Sequence, residues 1–306
     1  MKVRQKPWIA DRLTPSIVIA FALLTAAESR AQWVKPPSES VRKETPGLVH
    51  STFESSAMRT TVGYSVVLPP DYENSDQRYP VVYWLHGGGG NESSSLSTAR
   101  SWRELYETDA IRPVILVYPS AFRSGYMDHH DGKIMVESMI IKELIPLIDT
   151  SYRTIASRDG RAEHGFSMGA SGSLKFAIKY PAMFCSAVAY GGGAVDLEKS
   201  TSPFNVKILK RNLNADPKLI RQNNTDHFLE QNHDVVRKLE IRFLLICGDK
   251  DSWMNSAVTF QKALREKQIP CELTRVPEVG HSLSGLTKAE GKAAARFQDS
   301  VFQINR

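Results

Sequence analysis

The sequence predicts an α/β protein, with a mainly parallel central sheet and helices on both faces. Three observations carry this. Short apolar runs of strand length recur along the chain and alternate with segments of helical period. The 306 residues are 42% hydrophobic and 24% charged, which fits a globular chain and excludes a disordered, collagenous or polytopic membrane one. A Gly-x-Ser-x-Gly turn, residues 165–169, joins one of the apolar strands to a helical segment.

Taken in order, the chain opens on an address. Lys2, Arg4, Lys6 and Arg12 precede an uncharged run over 13–27, and Ser29-Arg30-Ala31 supplies small residues at the two positions a signal peptidase reads. The run contains Pro15 and is shorter than the roughly 20 apolar residues of a spanning helix. Residues 1–31 therefore read as a secretory signal, with the mature chain starting at Gln32, secreted or periplasmic and not stably inserted in a membrane. Residues 32–59, with Pro36, Pro37 and Pro46, read as a flexible mature N-terminus, and 60–306 as one folded domain.

Within that domain, 61–68 alternates as a strand and stops at Pro69-Pro70-Asp71. Further strands are expected over 79–85, 114–118, 162–166, 185–190, 241–247 and 272–276. Helices are expected over 102–108, 136–148, 171–180, 256–267 and 288–302. The stretch 194–240 is polar, broken by Pro203 and Pro217, and only weakly helical. It lies between two strands, as a cap-like insertion or a plain surface excursion.

The formal charge of +6 points to no nucleic acid or anionic membrane partner, because half of it falls within 1–31. The three cysteines, Cys185, Cys247 and Cys271, lack metal-like spacing. They read as small buried hydrophobes, with a Cys247–Cys271 bridge left open by an oxidising compartment.

The chemistry concentrates at strand ends. Ser167, centre of Gly165-Phe166-Ser167-Met168-Gly169, is the candidate nucleophile. The turn strains its backbone, and glycines two residues to either side let strand and helix approach. A serine needs a base. His281, in the loop between the last strand and the last helix, is the best placed of the downstream histidines; His227 and His233 fall in the polar excursion. The acid that orients it follows strand 241–247, in Gly248-Asp249-Lys250-Asp251. Asp251 is favoured, Asp249 being suited to holding the turn and Asp196 a more distant alternative. The oxyanion needs two donors: the Met168 amide and one from the run Gly87–Gly90, Gly88 or alternatively Gly89. That run is not a phosphate loop, since Asn91-Glu92 follows where Lys-Ser/Thr would be needed. His86 reads as a brace for it.

Asp128-His129-His130-Asp131 reads as a polar loop rather than a metal site, because adjacent residues cannot all converge on one ion. Tyr126 and Trp253 are aromatics near strand ends that could flank a substrate.

With these residues in place, the chain resembles the esterase D-like, feruloyl esterase-like branch of the α/β-hydrolases. The resemblance spans about 60–285. It rests on Tyr64-Ser65-Val66-Val67-Leu68-Pro69-Pro70-Asp71-Tyr72, on the segment Tyr79-Pro80-Val81-Val82-Tyr83-Trp84-Leu85-His86-Gly87-Gly88-Gly89, and on Glu143-Leu144-Ile145-Pro146-Leu147-Ile148-Asp149. Gly165–Gly169, Cys247-Gly248-Asp249-Lys250-Asp251 and Gly280-His281 complete it. It implies the α/β-hydrolase fold, a Ser167–Asp251–His281 triad, oxyanion amides on Met168 and the glycine loop, and no metal or organic cofactor. The family often carries an aromatic soon after the histidine, where this chain has Ser282-Leu283-Ser284. The expectation is a secreted serine carboxylesterase acting on a small-molecule or polysaccharide ester, feruloyl first and acetylated xylan second. An acyltransferase with the same triad, a secreted peptidase and a non-catalytic binding protein are the rivals.

Overall fold

The structure is a computed structural model and describes residues 33–302. The proposed signal, 1–31, lies outside the described residues. Eight strands form one sheet in the order β1-β2-β4-β3-β5-β6-β7-β8. They are β1 (Leu48–Ser55), β2 (Thr60–Val67), β3 (Val81–Leu85), β4 (Ile115–Pro119), β5 (Arg161–Phe166), β6 (Ser186–Tyr190), β7 (Arg242–Gly248) and β8 (Cys271–Val276). β1 and β2 run antiparallel to their neighbours; every other pair is parallel.

All five residues of β3, Val-Val-Tyr-Trp-Leu, are buried, as a strand covered on both faces requires. Alternation then divides the core. Val81, Tyr83 and Leu85 point into one apolar cluster with Phe176, Ile140 and Phe243. Val82 and Trp84 point into a second with Trp102, Leu105 and Leu286. The first cluster lies under α3 (Val136–Ser138), a π-helical stretch Met139–Leu144, α4 (Ile145–Ser151) and α5 (Met168–Lys179). The second lies under α2 (Ala99–Tyr106) and the long C-terminal helix, α10 (Leu283–Val301).

Two expectations need correction. Residues 32–59 are not simply flexible. Glu39–Glu44 forms α1, with Ser38 capping it, and β1 pairs with β2 along its whole length, from Leu48 opposite Val67 to Ser55 opposite Thr60. The pattern hides β1 because an edge strand is held by its ladder; Leu-Val-His-Ser-Thr-Phe-Glu-Ser buries fully only its last residue. The stretch 194–240 is not weakly helical either. It folds as α6 (Pro203–Leu213), α7 (Pro217–Asn223) and α8 (Thr225–Lys238). Pro203 and Pro217, read as breaks, each occupy a first helical turn, where a missing N–H costs nothing. Asp216 adds a cap, its carboxylate accepting from the amides of Lys218 and Leu219.

The cysteines are free and buried. Cys271 pairs in register with Phe243 and Cys247 with Arg275, so the two sit four residues apart along adjacent strands and form no bridge. The loops leaving β3, β5, β6, β7 and β8 all emerge from the carboxyl edge of the sheet, where an open parallel sheet places its ligands. α9 (Met254–Glu266) follows the β7 loop.

Candidate active site

Ser167 stands between β5 and α5 at φ 56° and ψ −112°. A non-glycine residue in that region stores about 1–3 kcal/mol of strain. Its surroundings hold it there: its amide donates to the Tyr190 carbonyl at 2.9 Å, and its carbonyl accepts from Ser171 at 3.2 Å. The flanking glycines are a steric demand. A Cβ on Gly169 would lie 2.0 Å from the Leu85 carbonyl oxygen, and one on Gly165 would lie 2.1 Å from that of Gly169.

His281 reaches over from the loop after β8. Its Nε2 lies 2.8 Å from Ser167 Oγ and its Nδ1 lies 2.8 Å from Asp251 Oδ2. The Phe166 ring stacks on the imidazole at 4.8 Å and 29°. The Asp251 carboxylate is almost wholly buried, and its other oxygen accepts from the Trp253 amide at 2.9 Å. The β7 and β8 loops are stitched together by main chain. Asp249 donates to Val276 and Lys250 to Val279, and a Cβ on Gly248 would fall 1.9 Å from the Val279 oxygen. Asp249 therefore takes part in the turn through its amide, while Asp251 faces the histidine. Asp196 is engaged elsewhere, with Lys199 and Asn224.

The Met168 amide opens α5, where no carbonyl four residues back is available to it and the helix dipole is positive. Opposite it, the glycine loop is braced from beneath by His86. Burial lowers this imidazole to about 4, so it is neutral at ordinary pH. Nε2 accepts the Ala121 amide at 3.0 Å, which leaves Nδ1 as the donor to the Gly87 carbonyl at 2.8 Å. Among the described residues the amides of Gly88 and Gly89 donate to no protein acceptor. The Phe204 ring from α6 lies on Gly88, where an added Cβ would approach it to 2.5 Å. Gly89, at φ +86°, lies beside the Arg123 guanidinium.

A pocket of about 710 Å³, counted with its open mouth, lies beside Ser167. Its apolar lining comes largely from the insertion and the β7 loop: Val195, Leu197, Phe204, Ile208 and Trp253. The mainly apolar lining, with a few polar groups, is that of a site for a small organic group.

A family model described as "Putative esterase" matches residues 55–286. The chain belongs to this esterase family. Over 153 residues it is 37% identical to an esterase of Mycobacterium tuberculosis, a stretch covering 49% of this chain and 33% of that one. Over 168 residues it is 30% identical to an endo-1,4-beta-xylanase/feruloyl esterase of Xylanibacter ruminicola, covering 52% of this chain and 23% of that one. The matched stretch thus spans a third or less of these relatives. Among solved structures, a ferulic acid esterase superposes with a TM-score of 0.71 at 23% identity, over 83% of this chain and 98% of that one. An S-formylglutathione hydrolase from Agrobacterium tumefaciens superposes with a TM-score of 0.70 at 18% identity, over 83% and 95%. These likenesses identify the fold of this esterase-family chain as that of the α/β-hydrolase esterases.

The structure of this esterase family member brings Ser167, Asp251 and His281 into one hydrogen-bonded row and puts Trp253 on the pocket wall. It corrects Tyr126. That ring is fully buried, packs edge-on against Phe176 and donates its hydroxyl to the His86 carbonyl at 2.9 Å, so it supports the glycine loop from the core and does not line the pocket beside Ser167. In the 128–131 loop, Asp128 accepts from the amide and hydroxyl of Ser138 and so anchors α3; burial and the nearby Arg211 lower the His129 pKa. Among the described residues no group of three His, Cys, Asp or Glu side chains is arranged to hold a metal ion. Phe166, Phe204, Ser171 and Lys175 escape the sequence reading. A signal exists for the last two, which follow Ser167 by one and two helical turns.

Proposed function

We propose that the protein is an exported serine carboxylesterase that hydrolyses carbohydrate-linked or phenolic esters, feruloyl esters first. The observation that carries this reading is the unbroken row Asp251–His281–Ser167, both links 2.8 Å long, whose serine lines a mainly apolar pocket. Ser167 Oγ attacks the ester carbonyl while His281 Nε2 takes its proton. Asp251 holds the Nδ1 tautomer and stabilises the imidazolium. The developing oxyanion falls to the amides of Met168 and Gly88, which need no reorganisation at the moment of reaction. The imidazolium protonates the departing alcohol. Water, deprotonated by the same histidine, then releases the acid and frees Ser167.

The pocket beside Ser167 is lined mainly by apolar groups, which suits the acyl group, while a polysaccharide alcohol would stay outside it. The likeness to the endo-1,4-beta-xylanase/feruloyl esterase of Xylanibacter and to the ferulic acid esterase structure supports the feruloyl choice. Export rests on the pattern of residues 1–31. No described helix is long and apolar enough to cross a membrane.

The test is release of acid from methyl ferulate and p-nitrophenyl acetate by the protein and its Ser167→Ala variant. Turnover of both, lost by about 10⁶-fold in the variant, is the expected result. Turnover of the acetate alone would replace the feruloyl assignment with an acetylesterase. Equal inertness of both proteins would sink the esterase reading. Added alcohol or sugar that diverts the acyl group from water would mark an acyltransferase.

A further inference from the structure

Ser167, Ser171 and Lys175 recur at four-residue spacing on one face of α5, and all three line the pocket. Two of them have assigned tasks: Ser167 faces His281, and the Ser171 hydroxyl donates to the Gly193 carbonyl at 3.1 Å. Lys175 is different. Its side chain is only 4% exposed, yet it borders a cavity that is otherwise lined mainly by apolar groups.

An ammonium carries three N–H donors. Lys175 Nζ gives one to the Tyr126 carbonyl at 2.6 Å and one to Glu137 Oε2 at 2.7 Å. The third has no acceptor among the described residues; the Phe176 ring, its centroid 5.2 Å away, offers only a face. The neighbouring carboxylates are spoken for. Glu137 is shared with Lys179 and with the Tyr180 hydroxyl. Burial opposes its ionisation, but Lys175 and Lys179 overcome that and hold it down at about 2. Asp128 has both oxygens on Ser138. A buried donor left unpaired is costly, more so when charged, so a ligand that supplies an acceptor there is favoured.

We infer that Lys175 is a specificity-determining residue, whose third N–H binds an oxygen at the far end of the acyl arm, the phenolic oxygen of a hydroxycinnamoyl group. The assignment rests on the esterase reading above and deepens it. Eight residues of helix separate Ser167 from Lys175, about 12 Å along the axis. Helical side chains lean toward the N-terminus, so the ammonium reaches back toward the nucleophile and shortens that span. Leu197 and Ile208 supply apolar walls to the same pocket, suited to a flat ring between the reacting carbonyl and the distal oxygen. Thr225, buried and also on the lining, carries a hydroxyl whose oxygen can accept a hydrogen bond from the phenol while Lys175 donates to the phenol oxygen.

The test compares kcat/KM for the methyl esters of 4-hydroxycinnamate and of unsubstituted cinnamate, in the wild type and in Lys175→Met. The expected wild-type preference for the hydroxylated ester is about tenfold or more, as for a hydrogen bond to a charged group. In Lys175→Met the ratio falls to about one or inverts, because the phenol then loses its partner on desolvation. Glu137 keeps Lys179 and Tyr180 in that variant, and its thermal transition reports whether it has folded. If it does not fold, the wild-type ratio alone decides. A wild-type ratio near one, with turnover of both esters dependent on Ser167, overturns the Lys175 assignment and leaves the esterase reading intact. A preference that persists in folded Lys175→Met overturns it as well. Absence of Ser167-dependent turnover of both cinnamates and of p-nitrophenyl acetate overturns both readings.

Discussion

The carboxyl edge of the sheet and the insertion that roofs it hold their functional groups by different means. At the edge, position is set by backbone. Ser167 cannot leave its turn without breaking its bond to Tyr190, and Gly165, Gly169 and Gly248 each sit where a Cβ would fall within 2.1 Å of a main-chain atom. In the insertion, position is set by side-chain packing on α6 to α8, and Phe204 remains 37% exposed while lying on Gly88. The comparison separates two jobs. A reaction centre tolerates little positional error, so it is built where main chain leaves no freedom. In the proposed reading the pocket roof sets which acyl group fits, and side chains exchange there at small cost.

The largest expected effect discriminates within the edge itself. Asp251→Asn should lower kcat by about 10⁴-fold, since the amide presents the wrong partner to His281 Nδ1. Asp249→Asn, two residues away, should stay within a few-fold, because it serves the turn through its amide to Val276. Steady-state kinetics on one aryl ester checks both. Comparable losses would mean that Asp251 is not the orienting acid.

The backbone argument has a stability counterpart. Gly169→Ala places a Cβ 2.0 Å from a carbonyl oxygen of β3, in a core strand that cannot yield. Destabilisation of about 4 kcal/mol is expected, read as a fall in the denaturation midpoint with little change in slope. A variant as stable as wild type would show that strand and helix have room to separate.

These same steric demands explain what is legible in the sequence. A glycine required by main-chain contact is visible as a letter, so Gly165–Gly169, Gly248 and the run Gly87–Gly90 mark the loops that carry the site. Chain order then singles out Asp251 and His281. β1 is not legible because hydrogen bonds hold it and its apolar pattern is weak. α6 and α7 are not because Pro203 and Pro217 have the same letter as starts or as breaks, and only neighbouring caps such as Asp216 distinguish the two. Tyr126 is easily misread because an aromatic near a strand end can face core or pocket, a choice made by packing against Phe176 that no local pattern records.

A third contrast lies within β5. Glu163 and His164 are neighbours on opposite faces, both fully buried, and burial drives them in opposite directions: Glu163 well up, His164 down to about 3. His86, under the glycine loop, is likewise lowered, to about 4. A histidine depressed on folding stays neutral while the unfolded chain binds a proton. Its contribution is complete above the unfolded value of about 6.5 and is lost as pH falls toward the folded one. For His86 alone the full loss is about 3 kcal/mol. Glu163 works the other way: its contribution is present below the unfolded value and is lost as pH rises through the raised folded one. Stability measured by urea titration should therefore fall between pH 6.5 and 4, and His86→Gln should flatten that slope. An unchanged slope would mean that His86 is protonated in the native state.

The smallest expected effect belongs to the roof. Phe204→Ala removes a ring that is more than a third exposed, so the stability cost should be about 1 kcal/mol or less, against several for Gly169→Ala. Its functional signature should be selective. The ring lies on Gly88 and lines the pocket, so its loss opens the acyl side and admits water near the proposed oxyanion amides. KM for a bulky aromatic acyl ester should shift by several-fold while an acetyl ester, too short to reach the roof, changes less. If kcat for the acetyl ester collapses instead, Phe204 is holding the glycine loop in shape. The insertion would then share the task assigned here to the backbone, and the division between edge and roof would have to be redrawn around α6.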